Sequence, residues 1–468
     1  MSAYLQGNYA PVKQESTFDN LEVIGRIPDG LAGMFVRNGP NQKWLPRIKH
    51  HRFDGDGMLH AVQIQDGKAS YRNRYIRTNG FLLEEKENEA IWNGFSEPPT
   101  AHQAAGHTIY KNTSNTDLIF HGGRLLSLWE GDLPYAIDPR NLETLGIHNF
   151  HGGWESAFIA HPKVDSRTGE MMFMSAKFGP QPSLNYGVVG KDGRISHSAG
   201  LEPQHHVLMH DMAITENHSI VFSCPYIFDL TRPAKGGFPF EFDDSLPLRF
   251  GVIPRHGSKV RWIEAAPAWI WHTLNAYEEG DEIVLHAPRL ERTNAVSRRR
   301  PFGFNPGEQG GGDWAGRLHE WRLNLSTGEV RETPLSDFFV DFPIVNPART
   351  GHSHRYGFAV RLADQFGSDP AAFDAIVKFD LQSRSETIVP FGPERFGHEC
   401  AWIPRGPGEY EGWLTTFVHD EFEGRSEMVI YDAGTPEDGP VARILIPARV
   451  PYGFHGVWVS AAQMQSGT

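Results

Sequence analysis

The chain has only two cysteines, Cys224 and Cys400, in 468 residues. Two thiols cannot make a disulfide scaffold, and they fit a reducing compartment. No run of about 18 apolar residues is present, which excludes a transmembrane helix. The stretch Met1 to Asn20 is polar and lacks the apolar core of a secretion signal, so a cytoplasmic location is expected. Basic residues are in the minority: 44 Lys and Arg against 57 Asp and Glu leave a net charge of −13. A surface of that sign argues against nucleic-acid binding. Helical periodicity is scarce. One short helix is expected over Ala371–Ile376, with Asp369 as its cap and Pro370 at its first turn.

What the chain does have is turns, aromatics and histidine. Gly (49) and Pro (33) together make up about 18% of the residues, above the roughly 12% of average usage. Asp66-Gly67, Gly122-Gly123, Asp192-Gly193 and Gly280-Asp281 each separate short β-type runs. Leu59–Ile64 and Ala69–Tyr75 flank one such turn with alternating character, the signature of a hairpin. Many short strands at regular spacing fit an all-β sandwich, barrel or propeller, and a propeller best accommodates this length in one domain, residues 1–468. Phe228–Pro247 and Arg289–Arg300 read as long loops, which in a compact domain are usually functional.

Among 23 histidines, four stand out by their surroundings: His161, His210, His272 and His455. They are far apart in sequence, which excludes zinc fingers and helix-borne His pairs. The spacing suits ligands carried on separate blades and pointing at one axis. Read alone, each is more readily a buried structural histidine than a ligand. His205-His206 would point to opposite strand faces and cannot share one metal comfortably. His50-His51, His352 and His354 read as structural.

Other residues carry a resemblance. Gly7-Asn8-Tyr9-Ala10-Pro11-Val12, Arg37-Asn38-Gly39-Pro40-Asn41 and Phe53-Asp54-Gly55-Asp56-Gly57-Met58-Leu59-His60 occur in order. Asn115-Thr116, Leu126 to Tyr135, Ala160-His161-Pro162-Lys163-Val164-Asp165 and Pro451-Tyr452-Gly453-Phe454-His455-Gly456 follow. In these motifs the chain resembles the carotenoid cleavage oxygenases, a family that also contains the vertebrate retinoid isomerase and bacterial stilbene-cleaving dioxygenases. The resemblance implies a seven-bladed β-propeller with a cap of loops and short helices over the metal-bearing face. It implies Fe(2+) held on the axis by His161, His210, His272 and His455. It places Glu130, Asp341 and Glu399 behind those ligands, accepting the other imidazole N–H. Asp341 departs from the commoner Glu and is one methylene shorter, so its bond is expected to be either direct with a shifted backbone or carried by water. Thr116 and Trp129 match positions that approach the metal.

Imidazole suits several metals, so four histidines do not name one. Carboxylates behind them would offset the charge and fix the rings. With iron and O2, such a site would split a conjugated C=C bond into aldehydes or ketones. No Ser/His/Asp or Cys/His nucleophile competes with this reading. A rod-like apolar substrate needs an aromatic tunnel, and Phe81, Phe95, Phe228, Phe302 and Phe304 are candidates for its wall. The apolar stretch from Tyr226 to Phe242, with Ile227, Leu230, Phe238 and Phe240, is a candidate patch for peripheral membrane contact. Stilbene-cleaving relatives carry Lys where this chain has Trp129 and Tyr near the position of Phe95. Their absence turns the expectation toward an apocarotenoid or carotenoid substrate, with a stilbene or phenylpropenoid as the alternative. No obligate protein partner is implied.

Overall fold

The computed structural model describes the chain apart from residues 1, 48–49, 96, 99, 101–109, 178–182, 203–207, 230, 236–238, 291–315, 364–371 and 467–468. The fold is a β-propeller of seven antiparallel blades. Neighbouring blades meet along their innermost strands, which form a ring around a central axis. Blade I is closed by both ends of the chain: Gly33–Arg37 pairs with Gly456–Ser460 on one side and Met58–Gln65 on the other. Val23–Gly25 crosses to blade VII and pairs with Pro440–Ile446. This double clasp means that neither end leaves without opening the ring.

Blade II begins with Asp117–His121, blade III with Lys163–Val164 and blade IV with Met212–Ile214. Blades V and VI form one seven-stranded sheet, because the 15-residue strand Val330–Ile344 is the outer strand of V and then the inner strand of VI. Blade V begins with Asn275–Glu279, and blade VII has Ala401–Pro404 innermost. Burial follows position in the blade. The inner strand Met212–Ile214 is wholly buried, while the outer strand Ile195–Leu201 alternates between half-buried and exposed residues. That is the period-2 pattern of a sheet with one wet face.

The expected hairpin is present as Met58–Gln65 and Lys68–Tyr75. Its two-residue turn puts Asp66 at φ 51° and Gly67 at φ 70°, the left-handed pair that matches strand twist. The helix expected at Ala371–Ile376 is not formed. Phe373–Asp380 is a strand paired on both sides, and Asp369, Pro370 and Ala371 lie outside the described residues. Phe373, Ala375, Val377 and Phe379 share a buried face at period 2, so tertiary pairing overrides the local helix signal. Two α-helices form among the described residues, Asn79–Glu87 and Ala461–Ser466, and the first is capped by Thr78, whose hydroxyl accepts from the Phe81 N–H at 3.1 Å. The segment around it, together with the ribbon Tyr226–Phe228/Phe240–Phe242, makes the cap.

Polar clamps tie blades together. Glu278 of blade V accepts hydrogen bonds from Thr215 (2.5 Å), Asn217 (2.8 and 3.1 Å) and His218 (2.9 Å) of blade IV. Burial pushes its carboxyl up, but these donors outweigh burial and hold the pKa down at about 2. A depressed carboxylate stabilises the fold above its unfolded pKa, and that stability is lost as pH falls toward the folded value. Glu278→Gln is therefore expected to lower the melting temperature at pH 7 by a few degrees. The difference from the native chain should shrink as pH falls through about 4.5 and vanish near 2. A difference that stays constant with pH would contradict the clamp.

Candidate metal centre

The site takes one residue from the inner edge of each blade. His455 stands just before the inner strand of blade I and Asp117 opens that of blade II. His161, His210 and His272 precede those of blades III, IV and V. Asp341 lies in the part of Val330–Ile344 that belongs to blade VI, and Glu399 precedes Ala401–Pro404 in blade VII. The acids pair with the histidine of the adjacent blade. His161 donates from Nδ1 to Asp117 Oδ2 at 3.0 Å, His272 to Asp341 Oδ1 at 2.9 Å and His455 to Glu399 Oε1 at 3.0 Å. His210 has a histidine on either side and no adjacent acid. Its Nδ1 donates instead to Glu130 Oε1 at 2.9 Å, from the loop that follows Arg124–Leu128.

With Nδ1 donating, each ring turns a bare Nε2 inward. The Nε2 atoms of His161 and His210 are 3.1 Å apart, and those of His210 and His272 are 3.2 Å apart. The ligand atoms of all four histidines lie within 4.8 Å of one another, and all four residues are buried. Lone pairs facing each other at such distances repel unless a cation lies between them. Burial first, and then the neighbouring rings, keep His161 well below the ordinary imidazole range. Burial likewise lowers His272 and takes His455 down to about 4. These three imidazoles are thus neutral at pH 7, the form that binds a metal. The four carboxylates around them need an offsetting charge. Burial pushes Glu399 up to about 8 and Asp117 to about 7. This donor set fits a divalent metal ion, which His161, His210, His272 and His455 would hold through Nε2.

Asp341 reaches His272 directly, and the backbone makes up for its short side chain. The register shifts between Asp341 and Ile344, and Phe342 sits at φ 51°. Left-handed backbone at a bulky residue is strained and concentrates at functional sites. Phe342 then stacks on His272, with ring centroids 5.1 Å apart and planes at 21°.

Trp129 and Thr116 both line a cavity that ends at His210, His272 and His455. The Thr116 carbonyl accepts from the His455 N–H at 3.3 Å, which fixes the two together. Phe95 and Phe228 line the same cavity, as the sequence led us to expect. Phe81 does not; it packs with Met58 and Tyr75 in a separate cluster. Phe302, Phe304, His205 and His206 lie outside the described residues. In the apolar stretch from Tyr226 to Phe242, Tyr226, Phe240 and Phe242 are buried, Ile227 and Phe228 are half-buried, and Phe228 and Phe240 line the cavity. Leu230 and Phe238 lie outside the described residues. His51 caps the turn Arg52–Asp54, and His354 bonds Asn275, so both are structural.

Sequence reasoning missed Asp117, Trp271, Phe342 and Phe454. Asp117 directly follows Thr116, and nothing in its local sequence distinguishes it from a strand-edge acid. Removing an acid that orients a metal ligand costs about 10- to 100-fold in metal affinity. Asp117→Ala is expected to weaken Co(2+) binding by that factor in a chelator competition, with a smaller loss for Asp117→Asn. Unchanged affinity in Asp117→Ala would show that His161 does not depend on this acid.

Comparison with known proteins identifies the family. Residues 9–460 match the model of the retinal pigment epithelial membrane protein (RPE65) family. A carotenoid 9,10(9′,10′)-cleavage dioxygenase of Pisum sativum is 37% identical, over 99% of this chain and 91% of that one. An isoeugenol monooxygenase of Pseudomonas nitroreducens is 32% identical over 97% of both. Among solved structures, a lignostilbene dioxygenase of Pseudomonas brassicacearum superposes with a TM-score of 0.88 at 28% identity, covering 98% of this chain and 99% of that one. A variant of Synechocystis apocarotenoid oxygenase gives 0.84 at 26%, covering 97% and 98%. The chain belongs to the retinal pigment epithelial membrane protein family, that of the carotenoid cleavage dioxygenases.

Proposed function

We propose that the protein is an Fe(II)-dependent oxygenase that cleaves a conjugated C=C bond of a carotenoid or apocarotenoid with O2. One observation carries the reading: three of the four clustered imidazoles, those of His210, His272 and His455, close the end of a cavity walled mainly by aromatic rings. The reaction balances without an outside reductant, since one C=C bond and one O2 become two C=O groups. Iron, when bound, supplies the redox chemistry that joins O2 to the alkene; the four imidazoles alone would suit other metals too, and the choice of iron rests on the family.

The chain's own residues do the rest. Phe53, Phe95, Trp129, Phe228, Trp271 and Phe454 form a wall that excludes water and holds a flat, rigid apolar chain by its faces. Trp129 and Thr116 bound the cavity beside the histidines. Thr116 gives its hydroxyl to Asn115 at 3.2 Å, so it is not offered to the substrate. Glu130, Asp341, Glu399 and Asp117 hold the rings in position. The pea relative is named for cleaving carotenoids, which supports a polyene. Both cysteines are free and buried, which fits the reducing cytoplasm. No helix among the described residues is long and apolar enough to cross a membrane. Transient contact with a membrane surface is the route by which a polyene would be reached.

A second reading, cleavage of a stilbene or phenylpropenoid, is favoured by Tyr110. Its ring stacks on Phe95 at 4.5 Å in the cavity wall and gives a phenolic substrate one polar neighbour. Iron-loaded protein supplied in air with an apocarotenal or a hydroxystilbene separates the two when products are weighed by mass spectrometry. Cleavage of the apocarotenal alone is expected, with more than a thousandfold loss of activity in His272→Ala. Cleavage of the stilbene alone would mean that Trp129 and Phe95 admit a phenol and that the polyene reading is wrong.

A further inference from the structure

The four histidines are approached by a second cavity, of about 200 Å³. It shares only His272 and His455 with the aromatic one and reaches His161, which the aromatic cavity does not touch. Its chemistry differs, with polar side chains sharing the lining with apolar ones such as Ile214, Leu274 and Val345. Asp117, Lys163, Asp211, Thr273, Asn275 and Glu399 line it. Three of these are acids and one is a base, so the lining offers a cation oxygen donors in place of its water.

One contact in that lining is built asymmetrically. Lys163 Nζ lies 2.6 Å from Asp211 Oδ1. Asp211 is held independently of the lysine: it accepts from the Met212 N–H at 2.7 Å, the Thr273 N–H at 2.7 Å and the Thr273 hydroxyl at 3.0 Å. Its side chain is 1% exposed, against 21% for Lys163. The carboxylate is therefore fixed, and the lysine ammonium is the partner free to swing aside. Until it does, it neutralises the charge that would draw another cation inward.

The aromatic cavity is a poor path for an ion. A hydrated divalent cation gives up its water at great cost where only carbon replaces it. A wall of carboxylate, amide and hydroxyl oxygens replaces that water stepwise. We propose that the polar cavity is the route by which a hydrated divalent cation reaches the four histidines, and that the Lys163–Asp211 ion pair is the contact it must part. This rests on the reading of the histidine cluster as a metal centre.

The test is the rate of metal uptake, not activity. Chelator-stripped full-length protein is mixed with excess Co(2+), and the visible absorbance of the bound ion is followed by stopped flow. Lys163→Gln is expected to take up cobalt about five- to tenfold faster than the native chain at low ionic strength, with the gap narrowing at high salt. Lys163→Arg, which keeps the charge, should behave like the native chain. All three should bind one equivalent and show similar melting temperatures. Phe240→Trp, which fills the aromatic cavity instead, should leave the rate unchanged. A rate indifferent to Lys163, or one slowed by Phe240→Trp, overturns the proposed route while the metal centre stands. Failure of the native chain to bind any cobalt overturns both.

Discussion

The structure depends on holding four imidazole lone pairs face to face. Nε2 atoms 3.1 and 3.2 Å apart are tolerable only with a cation among them, and only if no ring can turn away. A carboxylate on each Nδ1 prevents turning. A single loop or helix cannot supply eight groups converging on one point; a ring of inner strands can. Seven blades give seven inner positions, filled here by four histidines and three acids. Three of the histidines find their acid on the next blade. His210, flanked by histidines, takes Glu130 from outside the ring. That arithmetic explains why one acid comes from a loop near the aromatic cavity.

The same constraint divides the surroundings of the site. On one side the cap supplies rings, and the cavity is dry and apolar. On the other the lining carries three acids and a lysine among apolar residues. On the proposed reading, a centre with two unlike approaches would receive an apolar chain and an ion without either crossing the other's path. The double clasp of blades I and VII matters for the same reason. His455 and Glu399 belong to those two blades, so ring closure and site assembly are one event.

Much of this was legible in the sequence. His161, His210, His272 and His455 were marked by context and then by motif, and Glu130 and Glu399 by the residues around them. Asp341 was legible as an acid, and the direct bond from a shifted backbone was one of its two expected arrangements. The shifted register and the left-handed Phe342 that extend it arise from pairing with Tyr356–Leu362, a long-range event. Asp117 was hidden because its partner is 44 residues away and its neighbours are ordinary strand residues. The strand Phe373–Asp380 was misread as helix because Ala371 to Ile376, taken alone, has no turn signal and a plausible cap. The burial of Tyr226, Phe240 and Phe242 was not legible, because composition says how apolar a segment is but not which way it folds.

The most direct measurement is a crystal structure of protein loaded anaerobically with Fe(II), with diffraction data collected on both sides of the iron absorption edge. The account predicts a single anomalous peak on the propeller axis, bonded to Nε2 of His161, His210, His272 and His455, with every Nδ1 still on its carboxylate. Absence of a peak there, or a metal bound through Nδ1 with the carboxylates released, would contradict it.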